Sequence, residues 1–260
     1  MNINYTSLLL KGIIPFNDKV NIYAPTIDEI VTMGETELSL YIKPFSITIR
    51  ELYSGMAEIV DQMEEAFPTL WDMSFDKEGN KEIGNMISQS DSTLHQLFAK
   101  GFAYWTKLNE DDFQFLSNKK AICKKLNWVI DKQEFLDFSE CVKAITMAKP
   151  NEDLIAPKNM SKAQLRIWKN VYKGRVRKLS KEQKVELGDK ILILQGSSTS
   201  YISFKEIGEM NYYQFNNLIK LYMEKEYYEQ NLQIYTAYKF DTSDMELKNW
   251  REKISLQKNI

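Results

Sequence analysis

Apolar residues recur every three or four positions through most of this chain, and that period commits it to helices. Behind the capping residue Ser161, Leu165, Trp168, Tyr172, Val176 and Leu179 make one stripe, while Lys162, Arg166, Lys169, Lys173 and Arg177 make another. Phe135, Phe138, Val142 and Ile145 fall at the same spacing, as do Leu52, Met56, Ile59 and Met63. The last set, interleaved with Glu51, Glu58, Asp61 and Glu64, predicts one amphipathic helix over residues 47–65 with an acidic outer face. The period differs only near the N-terminus, where residues 8–14 and 19–23 flank a turn through Pro15, Phe16, Asn17 and Asp18. The fold class is therefore mainly α, with a small N-terminal β-hairpin element followed by helical units.

Capping signals set the order of the elements. Thr26 with Glu29 opens a short helix that Gly34 stops, and helix resumes over residues 93–108. Between Pro68 and Ser92 the pattern weakens around Gly79, Asn80 and Gly84, which predicts irregular chain or a small strand pair. One apolar block ends at Trp128–Ile130 before the Phe135 stripe begins. Pro150 and Pro157 bracket a polar stretch read as a hinge, dividing the chain into an N-terminal mostly helical domain, 1–150, and a C-terminal helical domain, 151–260. In the second, Ser180 is expected to cap a helix to about Gln195, Ser203 with Glu206 a short one, and Asn211 a long one to about Tyr238. Asp241 or Ser243 would start a last helix, on which Leu247, Trp250 and Ile254 share a face that either packs on its own domain or docks into a partner.

Composition narrows the chemistry. A single histidine, His95, leaves no Ser/His/Asp, Cys/His or two-His arrangement, and there is no Gly-rich phosphate loop. Neighbouring carboxylates such as Glu64 and Glu65, or Asp111 and Asp112, point apart on a helix and read as solvated surface. Asp72, Asp76, Glu78 and Asn80 lack the ligand spacing of a calcium loop. We therefore expect no catalytic residue, no metal and no cofactor. Cys123 and Cys141 read as reduced apolar residues of a cytoplasmic protein. The first residues lack a basic region and are broken by Lys11 and Gly12, unlike a signal peptide, and no apolar run is long enough to span a membrane. A net charge of -2 gives no overall pull toward nucleic acid. Locally, residues 158–184 carry ten Lys or Arg against the single acid Glu182. Such a stripe either faces solvent or an acidic surface, with the helix at Glu51–Glu65 a candidate, or follows a phosphate backbone with Trp168 and Tyr172 stacking on bases; both aromatics lie on the apolar stripe, however, which places Trp168 in the core of the C-terminal domain.

The segment from Tyr201 to Phe215, followed by a long helix with Tyr227 and Tyr228, resembles tail assembly chaperones of tailed bacteriophages that infect Gram-positive hosts. Residues 20–34 are similar to the start of such chaperones, and residues 244–254, with Trp250, to their end. Asn211 stands where Thr is common in them, an exchange that keeps a capping side chain. Tyr213, Gln214 and Phe215 read as the corner of a helix-turn-helix rather than as a binding site. The resemblance implies a non-enzymatic protein of the host cytoplasm, outside the mature virion, that coats the tape-measure protein and recruits tail-tube subunits. Self-association would be compatible with it. The alternative is a nucleic-acid-binding protein using the basic helix 162–177.

Overall fold

Helices predominate in the computed structural model, which describes residues 2–182, 185–198, 201–237, 239 and 246–256, beside two small antiparallel sheets of two and three strands. The N-terminal hairpin is present but shorter than its alternation predicts, because residues 8–11 are helix. Asn4 accepts from the Ser7 N–H, and the Leu8 N–H reaches the Asn4 carbonyl, which starts α1 (Tyr5–Lys11). Gly12, with φ 66°, ends it as a left-handed cap. β1 (Ile13–Pro15) then pairs with β2 (Asn21–Tyr23), Ile14 opposite Ile22, and Asn17 closes the turn by accepting from the Lys19 and Val20 N–H groups. Thr26 and Glu29 form the expected capping box, opening α2 (Ile27–Met33), and α3 (Glu35–Ser46) follows.

The amphipathic helix expected over residues 47–65 is broken into α4 (Ile49–Tyr53), a 3-10 turn at Ser54–Met56, and α5 (Val60–Ala66). The interruption is fixed from far along the chain. The Ser54 carbonyl accepts from the Trp168 indole at 2.9 Å, and Gly55 lies 3.1 Å, measured from where a Cβ would stand, from the Tyr172 ring. The stretch from Pro68 to Ser92 is helical rather than irregular. A Thr69–Asp72 capping box starts α6 (Leu70–Ser74), and Asp76 caps α7 (Lys77–Ser88). Gly84 does not interrupt α7; it lets the helix approach the next segment, since a Cβ there would overlap the backbone of Ser92 and Thr93.

Thr93 opens α8 (Leu94–Thr106). Residues 113–130 form a meander that the spacing does not reveal: β3 (Phe113–Leu116), β4 (Lys120–Cys123) and β5 (Trp128–Ile130). Strands of three and four residues are too short for alternation to register, and the positive φ of Lys119 and Asn127 turns the chain between them. α9 (Lys132–Thr146) lies against α3, α6 and α8, and Trp71, Phe45, Phe98, Phe102, Phe135 and Phe138 interlock in the core.

Past Pro150 the chain is pinned to α4 and its turn: the Ala156 N–H donates to Ser54 Oγ at 2.9 Å, and the Ala156 carbonyl accepts from Arg50 at 2.8 Å. Ser161 and Gln164 form the capping box of α10 (Lys162–Leu179). Ser180 ends α10 instead of starting the next helix, because its N–H still bonds back to the Val176 carbonyl. Glu186 caps α11 (Leu187–Ser197). Ser203 and Asn211 cap α12 (Phe204–Glu209) and α13 (Tyr212–Thr236), as their spacing predicts. The last helix, α14, has four residues, Trp250–Lys253. Among the described residues no helix is long and apolar enough to cross a membrane.

Candidate partner-binding surface

The start of α13 is tied to the N-terminus by backbone bonds. The Tyr212 N–H donates to the Pro25 carbonyl at 2.8 Å and the Ile27 N–H to the Met210 carbonyl at 3.0 Å. Asn211 reaches across to the Leu8 and Leu9 carbonyls at 3.3 and 3.1 Å. The motif Tyr201–Phe215 is thus a corner, with Tyr213 and Phe215 fully buried. From this corner an apolar cleft of about 230 Å³ opens between α1, α13 and the chain after α14, lined by Leu9, Leu10, Leu218, Leu221, Ile254 and Leu256. The Tyr213 hydroxyl donates to the Leu256 carbonyl at 3.2 Å, which holds the third wall in place. Leu10, at 72% exposure, projects at the cleft with most of its surface in water.

The three residues expected to share one helical face do not share one. Leu247 precedes α14 and lines a separate hollow beside Tyr227 and Tyr228, Ile254 follows α14 and lines the cleft, and Trp250 lies half-buried between them. Four residues cannot carry a face of spacing three and four, so the tail straddles α13 instead. Lys253 fixes it there, pairing with Glu224 at 3.1 Å and standing 4.8 Å from the Tyr227 ring centroid. Arg251 covers the Trp250 ring at 5.3 Å. Asp241 and Ser243 lie outside the described residues.

On α10 only Trp168 is buried. Lys169 pairs with Glu58, and Lys158 with Glu64 at 3.3 Å, so the acidic segment named from sequence is the internal partner of the basic one. Sequence spacing missed the centre of this junction, Arg50. Its guanidinium is buried, donates to Asp61 at 2.5 Å and Glu64 at 2.6 Å, and reaches the Ala156 and Pro157 carbonyls. Hydrogen bonds from Arg50 hold the Asp61 and Glu64 carboxyls below their usual range. Arg50 sits beside Ile49 at the start of a short helix, and nothing local distinguishes it from a surface cation.

His95 is stacked on Phe115 with ring centroids 4.2 Å apart, edge-on to Phe75, and its Nε2 is buried without a hydrogen-bond partner among the described residues. Burial lowers its pKa from 6.5 to about 4. The folded chain thus refuses a proton that the unfolded chain takes up below about pH 6.5, so stability falls as the pH drops from 6.5 towards 4. The carboxyls of Asp61 and Glu64, held low, lose their contribution only below their unfolded values of 3.8 and 4.5. We expect the thermal midpoint to decline over the upper window and His95→Phe to flatten the decline. An identical slope in that variant would refute the assignment.

Cys123 and Cys141 are both buried thiols, and burial pushes Cys141 up to about 12. Asp72 completes the capping box of α6, accepting from the Thr69 hydroxyl, and pairs with Lys132 at 2.7 Å, while Asp76 caps α7. Among the described residues no group of three or more His, Cys, Asp or Glu side chains is placed to hold a metal ion.

Residues 179–255, from the end of α10 through the tail, match the family model described as the YomV second domain, a phage-associated family. No curated protein and no solved structure matches the chain.

Proposed function

We propose that this chain is a phage tail assembly chaperone: a non-enzymatic protein of the host cytoplasm, left out of the mature virion, that holds the tape-measure protein and recruits tail-tube subunits. The observation that carries this reading is the apolar cleft of Leu9, Leu10, Leu218, Leu221, Ile254 and Leu256, which is open to water. Its α13 and tail walls fall within the segment that matches a phage-associated family. The resemblance of residues 201–215 to tail assembly chaperones points the same way. Burial of the Trp168 indole, bonded to the Ser54 carbonyl, favours this reading over a nucleic-acid surface on the basic helix.

Co-expression with the tape-measure protein tests it. Leu10→Glu places a charge where an apolar partner side chain would bury, so capture should fall about tenfold or more with the thermal midpoint unchanged. Trp250→Ala should weaken capture less, since Trp250 stands outside the cleft. Full capture by Leu10→Glu would dismiss the cleft as the binding surface.

A further inference from the structure

α10 carries a second apolar seam that the described residues leave exposed. Trp168 and Tyr172 face the Ser54–Met56 turn, but Ile167 is 63% and Val171 38% exposed, four residues apart. Ala163 and Gly174 continue the seam at spacings of four and three, both exposed, and among the described residues nothing lies within 4 Å of the Cβ position of Gly174. Ile167, Val171 and Gly174 fall at the four-and-three spacing of a helix that pairs with another helix. The basic row runs beside the seam: Lys162, Arg166 and Lys173 each stand one residue before a seam residue, and Arg177 follows Lys173 at a spacing of four, all exposed. Among the described residues none of these four forms an ion pair, whereas Lys169, turned toward the body, meets Glu58.

We propose that this face of α10 docks an acidic amphipathic helix of another protein. Leu, Ile or Val on the partner would cover Ile167 and Val171, and flanking Glu or Asp would meet the row from Lys162 to Arg177. Charge complementarity selects this occupant. A nucleic acid would use the cations but leave the seam in water, and a second copy would set like charge against like. The seam is separate from the α1–α13 cleft, so its occupancy stands or falls independently of a role in tail assembly.

The probe is a labelled synthetic peptide with leucine at the a and d positions of each heptad and glutamate at e and g, titrated into the full chain. A matching peptide with lysine at e and g, and single-stranded DNA, serve as comparisons. We expect the glutamate peptide to bind, to weaken as salt rises, and to weaken about tenfold or more in Ile167→Asp and in Val171→Asp. Lys173→Glu and Arg177→Glu, both at exposed positions, should weaken it too, while Leu10→Glu should leave it unchanged. The proposal is overturned if the glutamate peptide fails to bind, if the lysine peptide binds as well, or if these substitutions leave binding intact. Displacement of the peptide by single-stranded DNA, or self-association of the parent that Ile167→Asp abolishes, would equally overturn it.

Discussion

Phe138→Ala should destabilise the chain by about 3–5 kcal/mol, the range for deleting a large aromatic side chain from a core. Phe138 is fully buried, and its ring meets Phe102 at 4.7 Å, Phe45 at 5.2 Å, Phe16 at 5.6 Å and Trp128 at 6.2 Å between centroids. Those neighbours come from α8, α3, the hairpin turn and β5, so four separate elements would have to move inward to fill the void. Partial relaxation is the usual outcome, and the residual cavity adds to the lost transfer energy. Against a total stability of about 5–15 kcal/mol, the loss is a large fraction. Urea unfolding should show a lower midpoint with the slope preserved. Phe138→Leu, which keeps most of the volume, should recover most of the difference. A loss under about 1 kcal/mol for the alanine variant would show that the rings are loosely packed.

Where the controlling contact is local, the sequence reports it. The capping boxes at Thr26, Ser161 and Ser203 and the cap at Asn211 are set by residues three positions apart, and each helix starts where the spacing says. The stripe of α9, from Phe135 to Ile145, is buried as its period requires. The failures have a common physical cause in distance along the chain. The period from Leu52 to Met63 continues unbroken, yet the helix stops at Ser54, whose carbonyl is claimed by a residue 114 positions later. Gly79 and Gly84 look like breakers, but α7 needs Gly84 because the Ser92–Thr93 backbone comes so close.

The same contrast governs the candidate surfaces. Leu247, Trp250 and Ile254 fit one helical face by spacing, but the tail follows contacts from Leu256 to Tyr213 and from Lys253 to Glu224, which local periodicity cannot express. The cleft itself needs Leu9 and Leu10 beside Leu218 and Leu221, which the Asn211 bonds to α1 bring about. Arg50 was illegible for the same reason: two of its four acceptors lie more than a hundred residues away. The stripes of α10 were visible, but which of them would meet the body and which would meet water depended on the turn at Ser54.

Trp168→Ala should also cost about 3–5 kcal/mol, although not for the reason its sequence position suggests. The spacing places Trp168 in the core of a C-terminal unit; in the structure the indole instead seats α10 on the Ser54–Met56 turn. It is 8% exposed, donates to the Ser54 carbonyl at 2.9 Å, and has the Arg175 guanidinium 5.8 Å from its ring. It is the one buried residue of an eighteen-residue helix, and Leu165 and Tyr172, half-buried beside it, complete the apolar contact that fastens α10. Helices of that length are marginal alone, so truncation should loosen the segment as well as lower overall stability. Trp168→Phe keeps much of the packing and leaves the Ser54 carbonyl without its donor, a loss of about 1–3 kcal/mol. Urea unfolding gives the magnitudes, and trypsin, with Lys and Arg from Lys162 to Arg177 to cut at, reports whether α10 opens first. Faster cleavage confined to this helix, together with the larger loss for alanine, is the expected result. An alanine variant that unfolds like the parent yet loses affinity for single-stranded nucleic acid would make the indole a stacking platform, and the basic helix the functional surface.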